Sequence, residues 1–246
     1  MERLYIDLGN SRLKWRRDQA PMQALAYSAN RLHGQLTSVW REETPPEQVW
    51  LASVAGQVAY DNLLGWLVNC WGLVPHIMEV SAEDCGLRCG YPEPRQLGVD
   101  RWAAMIAAHA AFPHGVCVVD CGTAVTLDAV DGRGRHLGGY ILPGIDAMQQ
   151  VLLQETAIER ETGAAEAGGE WGNSTVSCIE LGTGKALVAL IEQSVERMQA
   201  AGACNPGLVL TGGGVGAIES MMQIDYQRRD ALVLEGIQLY AEEKSR

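Results

Sequence analysis

Apolar residues along the chain form short runs rich in β-branched side chains, separated by longer segments with helical spacing. The short runs predict strands at residues 4–6, 49–54, 116–119, 125–130 and 208–210. The longer segments predict helices at residues 60–71, 101–111 and 181–200. A helical segment then gives way to Pro113, Gly115 and a new strand. We therefore predict a mixed α/β protein with two lobes, residues 1–113 and residues 114–246.

The overall charge of the chain argues against nucleic acid as a partner. Its 246 residues include 19 Lys and Arg against 30 Asp and Glu, a formal net charge of -11. No lysine-rich stretch is available to neutralise a run of phosphates. The apolar segments are shorter than the roughly 18 residues of a membrane span, and no signal peptide is visible. We expect a soluble, cytoplasmic protein with neither nucleic acid nor a membrane as a partner.

The seven cysteines and five histidines do not have the spacing of a metal site. The sequence contains no CxxC, HxH or HxxxH group. Cys85 and Cys89 are a candidate pair of metal ligands, but no second Cys/His pair stands at zinc-site spacing. We interpret them as unreactive thiols, and an odd number of cysteines suits a reducing cytosol.

Residues 4–10 and residues 117–123 have similar sequences, LYIDLGN and CVVDCGT. In both, an apolar run ends at an aspartate and a glycine turn leads into a second β-favouring run, which predicts a hairpin. Glycine allows close approach of the backbone to a ligand, so the turn N–H groups and the Asn10 or Thr123 side chain are candidates to bind phosphate. Asp7 and Asp120, at the strand ends, are candidates to hold a hydrated cation.

A single turn of this kind has a simpler interpretation, because Asp-x-Gly is common in ordinary β-hairpins. The duplication favours phosphate binding instead, since two lobes with one turn each would hold a nucleotide tail and its metal from both sides of a cleft. Lys14 lies four residues after Asn10, on the strand that leaves the first turn. It is a candidate to approach the terminal phosphates, and a solvated strand lysine is the alternative.

A third glycine cluster, TGGG at residues 211–214, lies between the strand at 208–210 and a helix-like segment at 215–222. It either contacts adenine or ribose or is only a flexible connection. Two phosphate turns followed by a late Thr-Gly-Gly element is the arrangement of many sugar and acetate kinases, which favours nucleotide contact. Neither GxxxxGK[ST] nor an early GxGxxG is present, which argues against P-loop and dinucleotide-binding proteins.

The sequence DLGNSRLK at residues 7–14 resembles the DxGN[ST]xxK signature of type III pantothenate kinases. GVDR at 98–101 resembles the GxDR motif of that family. DCGT at 120–123, GGYILPG at 138–144 and TGG at 211–213 match its later elements in order. The resemblance covers nearly the whole chain. It implies an α/β fold of two similar actin-like (ribonuclease H-like) lobes, each a mixed sheet with flanking helices, facing each other across a nucleotide cleft.

The resemblance implies ATP-dependent phosphorylation of pantothenate to 4′-phosphopantothenate, the first step of coenzyme A biosynthesis. Asp100 is then the general base that takes the proton of the pantothenate hydroxyl, and Arg101 is catalytic beside it. Gly98 relieves crowding, and Arg101 supplies a fork suited to carboxylate or phosphate. From the residues alone, the alternative is that Asp100 caps the helix predicted at 101–111.

The resemblance also implies a ligand for each remaining site residue. Pantothenate is bound by Tyr91, Gly98, Val99, Asp100, Arg101 and Thr175. ATP is bound by Asp7, Leu8, Gly9, Asn10, Ser11, Arg12, Leu13, Lys14, Gly122, Thr123, Gly212 and Gly213. Asp120 binds a monovalent cation, K+ or NH4+, and Asp7 holds the Mg2+ of ATP through water. A turn and a helix cap are the alternative roles of Tyr91 and Thr175.

Three further questions stay open at the level of sequence. The family implies a homodimer with its pocket near the subunit interface, so Thr175 serves either its own pocket or that of its partner. The Ala/Gly/Glu-rich segment 154–171 has a composition that permits mobility and closure over substrate. A sugar or small-acid kinase and a nucleotide-binding regulator of transcription are alternative functions. The GxDR motif argues against the first, and the acidic charge without a basic helix-turn-helix argues against the second.

Overall fold

The structure is a computed structural model that describes residues 2–155, 170–203 and 205–245. Its contacts divide the chain into two compact units. Unit 1 comprises Met1–Pro113, Gly134–His136 and Ala231–Arg246, and unit 2 comprises His114–Arg133 and Leu137–Asp230. These units differ from the lobes 1–113 and 114–246 in the assignment of two segments, the turn 134–136 and the C-terminal helix. As domains, those two lobes stay a prediction.

Along the chain, groups of one to three strands are separated by helices. The strands are β1 (Arg3–Leu8), β2 (Arg12–Arg17), β3 (Gln23–Ala26), β4 (Gln48–Ser53), β5 (His76–Ile77), β6 (Glu83–Asp84), β7 (Leu87–Arg88), β8 (Gly115–Cys121), β9 (Ala124–Asp131), β10 (His136–Pro143), β11 (Gly207–Thr211) and β12 (Gln227–Arg228). The helices are α1 (Leu32–Trp40), α2 (Gln57–Trp66), α3 (Val99–Ala111), α4 (Ile145–Glu155), α5 (Thr175–Ala200) and α6 (Leu232–Lys244). No helix in the described part of the chain is long and apolar enough to cross a membrane.

The two large sheets repeat one topology. Their strand orders are β3-β2-β1-β4-β5 in unit 1 and β10-β9-β8-β11-β12 in unit 2. In each sheet the central strand is antiparallel to its hairpin partner and parallel to the strand on its other side. Asp7 and Asp120 both occupy the next-to-last position of that central strand. The similarity between residues 4–10 and 117–123 is therefore also a similarity of fold.

Each unit has its own apolar core. In unit 1, residues of β1, β2 and β4 pack with α1 and α2, and the indole of Trp40 contacts those of Trp15, Trp66 and Trp71 at ring-centroid distances of 5.3, 5.4 and 5.3 Å. In unit 2, α5 packs on the strands β8, β9 and β11. These cores hold the central strands, and hence the ends of those strands, in place.

The five predicted strands and the helices at 101–111 and 181–200 are confirmed, with shifted ends. The helix predicted at 60–71 is α2 followed by a π-helical turn, Leu67–Trp71, that ends at left-handed Gly72. Helix α5 begins earlier than predicted, at Thr175, because Ser174 and Ser177 form a capping box. The prediction of a helix-like segment at 215–222 was wrong. Two short 3-10 turns, Val215–Ala217 and Glu219–Met221, occupy these positions.

Helices α3 and α6 of unit 1 pack backbone to backbone. A Cβ atom on Gly236 would overlap the carbonyl of Ala103, so only glycine permits this approach. The contact explains why α6, although last in the chain, belongs to unit 1.

We predict that Gly236→Ala lowers the free energy of unfolding by about 1–3 kcal/mol, because the added methyl group forces α3 and α6 apart. Gly65→Ala in α2 is the matched control, since a Cβ there meets nothing within 4 Å. It should leave stability unchanged or raise it by up to about 1 kcal/mol. Urea unfolding followed by circular dichroism measures both, and equal stability of the two variants would contradict the packing argument.

Candidate functional site

The first predicted phosphate turn is a three-residue connection, residues 9–11, between β1 and β2. The Gly9 N–H donates to the Arg12 carbonyl at 3.0 Å and closes the turn. The Tyr27 hydroxyl donates to the Gly9 carbonyl at 2.6 Å and supports it from β3's end of the sheet. Asn10, with its neighbours Ser11 and Arg12, is exposed. The turn therefore has a fixed backbone and side chains accessible to a ligand.

Asp7 precedes this turn and is only 7% exposed. In the strand register it lies opposite Lys14 on β2, so both side chains are on the same face of the sheet. Burial, and then the Asp7 carboxylate, raise the pKa of Tyr27. The Tyr27 hydroxyl therefore stays protonated and keeps its donor role. The role of Tyr27 was not predicted from the sequence, because Tyr27 lies 18 residues from the glycine that it supports.

The second predicted phosphate turn connects β8 and β9 through Gly122 and Thr123. The Gly122 N–H donates to the Ala124 carbonyl at 3.1 Å, and the Gly144 N–H donates to the Thr123 carbonyl at 3.1 Å. A Cβ on Gly144 would lie 2.6 Å from that carbonyl oxygen. This contact gives the GGYILPG sequence at 138–144 a structural role that its spacing did not indicate: its last glycine packs under the turn.

Asp120 lies at the end of β8 between two threonines. Thr126 is its register partner on β9 and Thr211 its partner on β11. The glycine cluster of residues 211–214 packs against the same strand end: Gly212 has a left-handed φ of 93°, a Cβ on it would overlap the Asp120 carboxylate, and the Gly214 N–H donates to the Cys121 carbonyl at 2.8 Å. Unit 2 thus brings Asp120, the second turn and the third glycine cluster together.

Asp100 lies in the first turn of α3 but is not its N-cap. Gly98 is the N-cap residue, and the Asp100 Oδ1 accepts the Arg101 N–H at 2.8 Å. A Cβ on Gly98 would lie 2.5 Å from that Oδ1 atom, so the carboxylate occupies space that a side chain at 98 would fill. The position of this carboxylate therefore depends on glycine at 98.

Arg101 and Tyr91 meet next to Asp100. The buried Arg101 donates from Nη1 to the Tyr91 hydroxyl at 3.2 Å, and its guanidinium carbon lies 5.8 Å from the centre of the Tyr91 ring. From the sequence alone, the alternative to pantothenate binding was that Tyr91 only anchors a turn. Within unit 1 the structure brings three of the predicted pantothenate residues, Tyr91, Asp100 and Arg101, into one group.

Thr175 is the first residue of α5, in unit 2. Its side chain does not cap the helix, because Ser174 is the N-cap and accepts the Ser177 N–H. Thr175 is exposed. Of the segment 154–171, residues 156–169 lie outside the described part of the chain.

Within the described residues, one group of three metal-ligating side chains stands close together: Asp84, Cys85 and Glu243. It includes neither Asp7 nor Asp120. Lys244 Nζ lies 2.7 Å from the Asp84 carboxylate, and burial followed by the Asp84 charge raises the pKa of the Cys85 thiol. The raised pKa keeps the Cys85 thiol protonated and therefore weakly nucleophilic.

Two solved structures have the same architecture and are distant in sequence. A conserved protein from Campylobacter jejuni, assigned to the Baf family of transcriptional activators, has a TM-score of 0.61 and 21% identity, with 98% of both chains covered. The activator of 2-hydroxyisocaproyl-CoA dehydratase from Clostridium difficile, solved with bound ADPNP, has a TM-score of 0.54 and 11% identity, with 100% of this chain and 96% of that chain covered. At such identities the likeness shows the actin-like α/β fold and nothing more.

Similarity in sequence identifies the family. The sequence model of the type III pantothenate kinase family matches residues 3–197. Type III pantothenate kinases from Nitrosococcus oceani, Halorhodospira halophila and Alcanivorax borkumensis are 31%, 34% and 32% identical, over 99%, 99% and 97% of this chain and 95%, 99% and 98% of theirs. The chain therefore belongs to the type III pantothenate kinase family.

Proposed function

We propose that this chain transfers the γ-phosphoryl group of ATP to the primary hydroxyl of pantothenate, the first step of coenzyme A biosynthesis, in the cytoplasm. Membership of the family makes it a kinase with an alcohol as acceptor. The observation that carries the proposal is the Asp100 carboxylate, fixed by the Arg101 N–H and by Gly98 beside a buried guanidinium and a tyrosine. That group offers a base for the hydroxyl and a cation for the carboxylate of a substrate that carries both.

The reaction requires few covalent steps from the protein. The pantothenate oxygen attacks the γ-phosphorus, the bond from that phosphorus to the bridging oxygen of ADP breaks, and the hydroxyl proton passes to Asp100. A positioned base of this kind is worth roughly 10²–10⁴-fold in rate. Arg101 and Tyr91 bind pantothenate, and the Arg101 fork is suited to its carboxylate. A carboxylate has about four lone-pair sites, so accepting the Arg101 N–H is compatible with taking a proton.

Residues of both turns bind ATP in this proposal. In unit 1 the phosphate contacts come from residues 7–14. They include Asn10, which is exposed, and Lys14, whose side chain shares a sheet face with that of Asp7. In unit 2 they come from Gly122, Thr123, Gly212 and Gly213. Backbone N–H groups of such turns form concave sites suited to anions.

The proposed cations match the donors present at the two aspartates. Asp7 is a hard oxygen ligand at a strand end and would hold Mg2+ through water, and the ion would neutralise charge on the phosphates. Asp120 has threonine on both sides in the register, an oxygen-rich surrounding suited to K+ or NH4+.

A homodimer completes the proposal. Exposed apolar side chains of unit 2 support it: Leu137, Tyr140 and Ile141 on the edge strand β10, and Val151 and Leu152 on α4. Leu137 and Ile141 lie four residues apart and therefore on one face of β10, and exposed apolar side chains that share a face are typical of interaction surfaces. In the dimer, Thr175 contributes to a pantothenate pocket, its own or the partner's.

ADP release measured with a panel of acceptors tests the function. We expect release that requires pantothenate and exceeds that with sugars or small acids. A sugar as the preferred acceptor would favour another kinase of the same fold. ADP release unaffected by every acceptor would favour a regulator.

We predict that Asp100→Asn lowers kcat roughly 10²–10⁴-fold, because the amide cannot accept the hydroxyl proton. The amide oxygen still accepts the Arg101 N–H, so the start of α3 should persist. Steady-state kinetics with circular dichroism on the same sample separates the two roles. A folded variant with the parent's kcat would make Asp100 only a helix-terminal acceptor.

Gly98→Ala should lower kcat on the order of 10- to 100-fold, because its methyl group displaces the Asp100 carboxylate. Gly56→Ala is the matched control: Gly56 is the N-cap residue of α2, as Gly98 is of α3, and a Cβ there meets nothing within 4 Å. We expect parental kinetics from the control. Equal kinetics of both variants would show that the position of Asp100 does not depend on Gly98.

Ile141→Arg should convert the dimer to a monomer, because it places a charge in the proposed apolar interface. Val74→Arg is the control, since Val74 is a still more exposed apolar residue, 78% against 64%, in unit 1. Sedimentation velocity measures both. A dimer that persists in Ile141→Arg, or a parent that is monomeric, would contradict the assignment of this interface.

A further inference from the structure

We propose that His136 is a positioning residue that sets the orientation of Tyr91 for pantothenate; this inference rests on the proposed function. Its imidazole stacks on the Tyr91 ring, with 5.7 Å between ring centres and 18° between planes. His136 is 1% exposed, so its ring is almost completely enclosed by protein. Tyr91 in turn accepts the hydrogen bond from Arg101. His136 thereby acts on the acceptor site through Tyr91 and does not itself touch the substrate.

The backbone around His136 packs closely against the segment that leads to Tyr91. The Arg88 N–H donates to the Gly134 carbonyl at 2.8 Å, and Arg88 and Arg135 form a parallel bridge. Cβ atoms on Gly90 or Gly134 would overlap the carbonyls of His136 and Gly86, respectively. The turn 134–136 is therefore fixed against residues 86–90. As a result, His136 lies next to Gly90, the residue that precedes Tyr91.

The stack supplies what the Tyr91 hydroxyl needs to meet Arg101. Tyr91 is partly exposed and belongs to no helix or strand; it lies between β7 and the 3-10 turn Pro94–Gln96. Such a side chain rotates readily unless a neighbour restrains its ring. A flat, buried ring parallel to the phenol provides that restraint, and an aliphatic side chain of similar size does not.

The matched pair His136→Leu and His136→Phe tests the role. His136→Leu removes the flat ring and should raise KM for pantothenate about three- to tenfold, while KM for ATP stays at the parental value. His136→Phe retains the ring and should restore the parental KM for pantothenate. His136→Gln, also without a ring, replaces the leucine variant if that protein does not fold.

The double variant with Tyr91→Leu separates positioning from general packing. Once Tyr91 is gone, His136→Leu should add no further increase in KM for pantothenate. Parental KM in the folded leucine or glutamine variant, equal increases in the leucine and phenylalanine variants, or additive effects with Tyr91→Leu would each overturn the role of His136. A parent without pantothenate-dependent ADP release would instead overturn the proposed function itself, and this inference with it.

Discussion

Close approach to a glycine positions three of the candidate site groups, the Asp100 and Asp120 carboxylates and the Thr123 carbonyl. The Asp100 carboxylate occupies the space beside Gly98, and the Asp120 carboxylate occupies the space beside Gly212. In the same way the Thr123 carbonyl lies against Gly144. In each case the carboxylate or turn occupies space that any side chain on the glycine would fill. Within each unit these groups are positioned by contacts of the protein itself, and positioned groups are what phosphoryl transfer requires.

The repeated sheets carry unequal chemistry at equivalent positions. Lys14 shares a sheet face with Asp7, whereas neutral threonines flank Asp120 in the register. In the proposed function the lysine and the exposed turn residues suit the phosphates of a nucleotide, and the Asp7 carboxylate suits the hydrated Mg2+ that accompanies them. In the proposed function the carboxylate with threonine as its register partner on both sides holds the monovalent cation. This difference supports distinct roles for the two aspartates within one duplicated fold.

The sequence allowed prediction of the strands that carry the motifs, because their apolar runs are short and bounded by glycine. Three helices, α1, α4 and α6, were not predicted. Helix α6 contains Gly236, which disfavours a helix in isolation and is present because of the tight packing on α3. The glycine-rich segment after 211 was read as leading into a helix, and 3-10 turns stand there instead.

Residues that support the site from a distance escaped sequence reasoning for a different reason. Tyr27, Gly144 and His136 reach Gly9, Thr123 and Tyr91 only through the strand topology. No local pattern marks a residue whose partner is decided by the pairing of strands. The motif residues themselves were predictable because carboxylates and glycines at turns have few other uses.

Identification of the product tests the central claim most directly. The protein incubated with ATP, Mg2+, K+ and pantothenate can be followed by phosphorus nuclear magnetic resonance. We predict a new phosphomonoester on the primary hydroxyl of pantothenate, formed in equal amount to ADP. ADP that accumulates with inorganic phosphate and without this phosphomonoester would contradict the account.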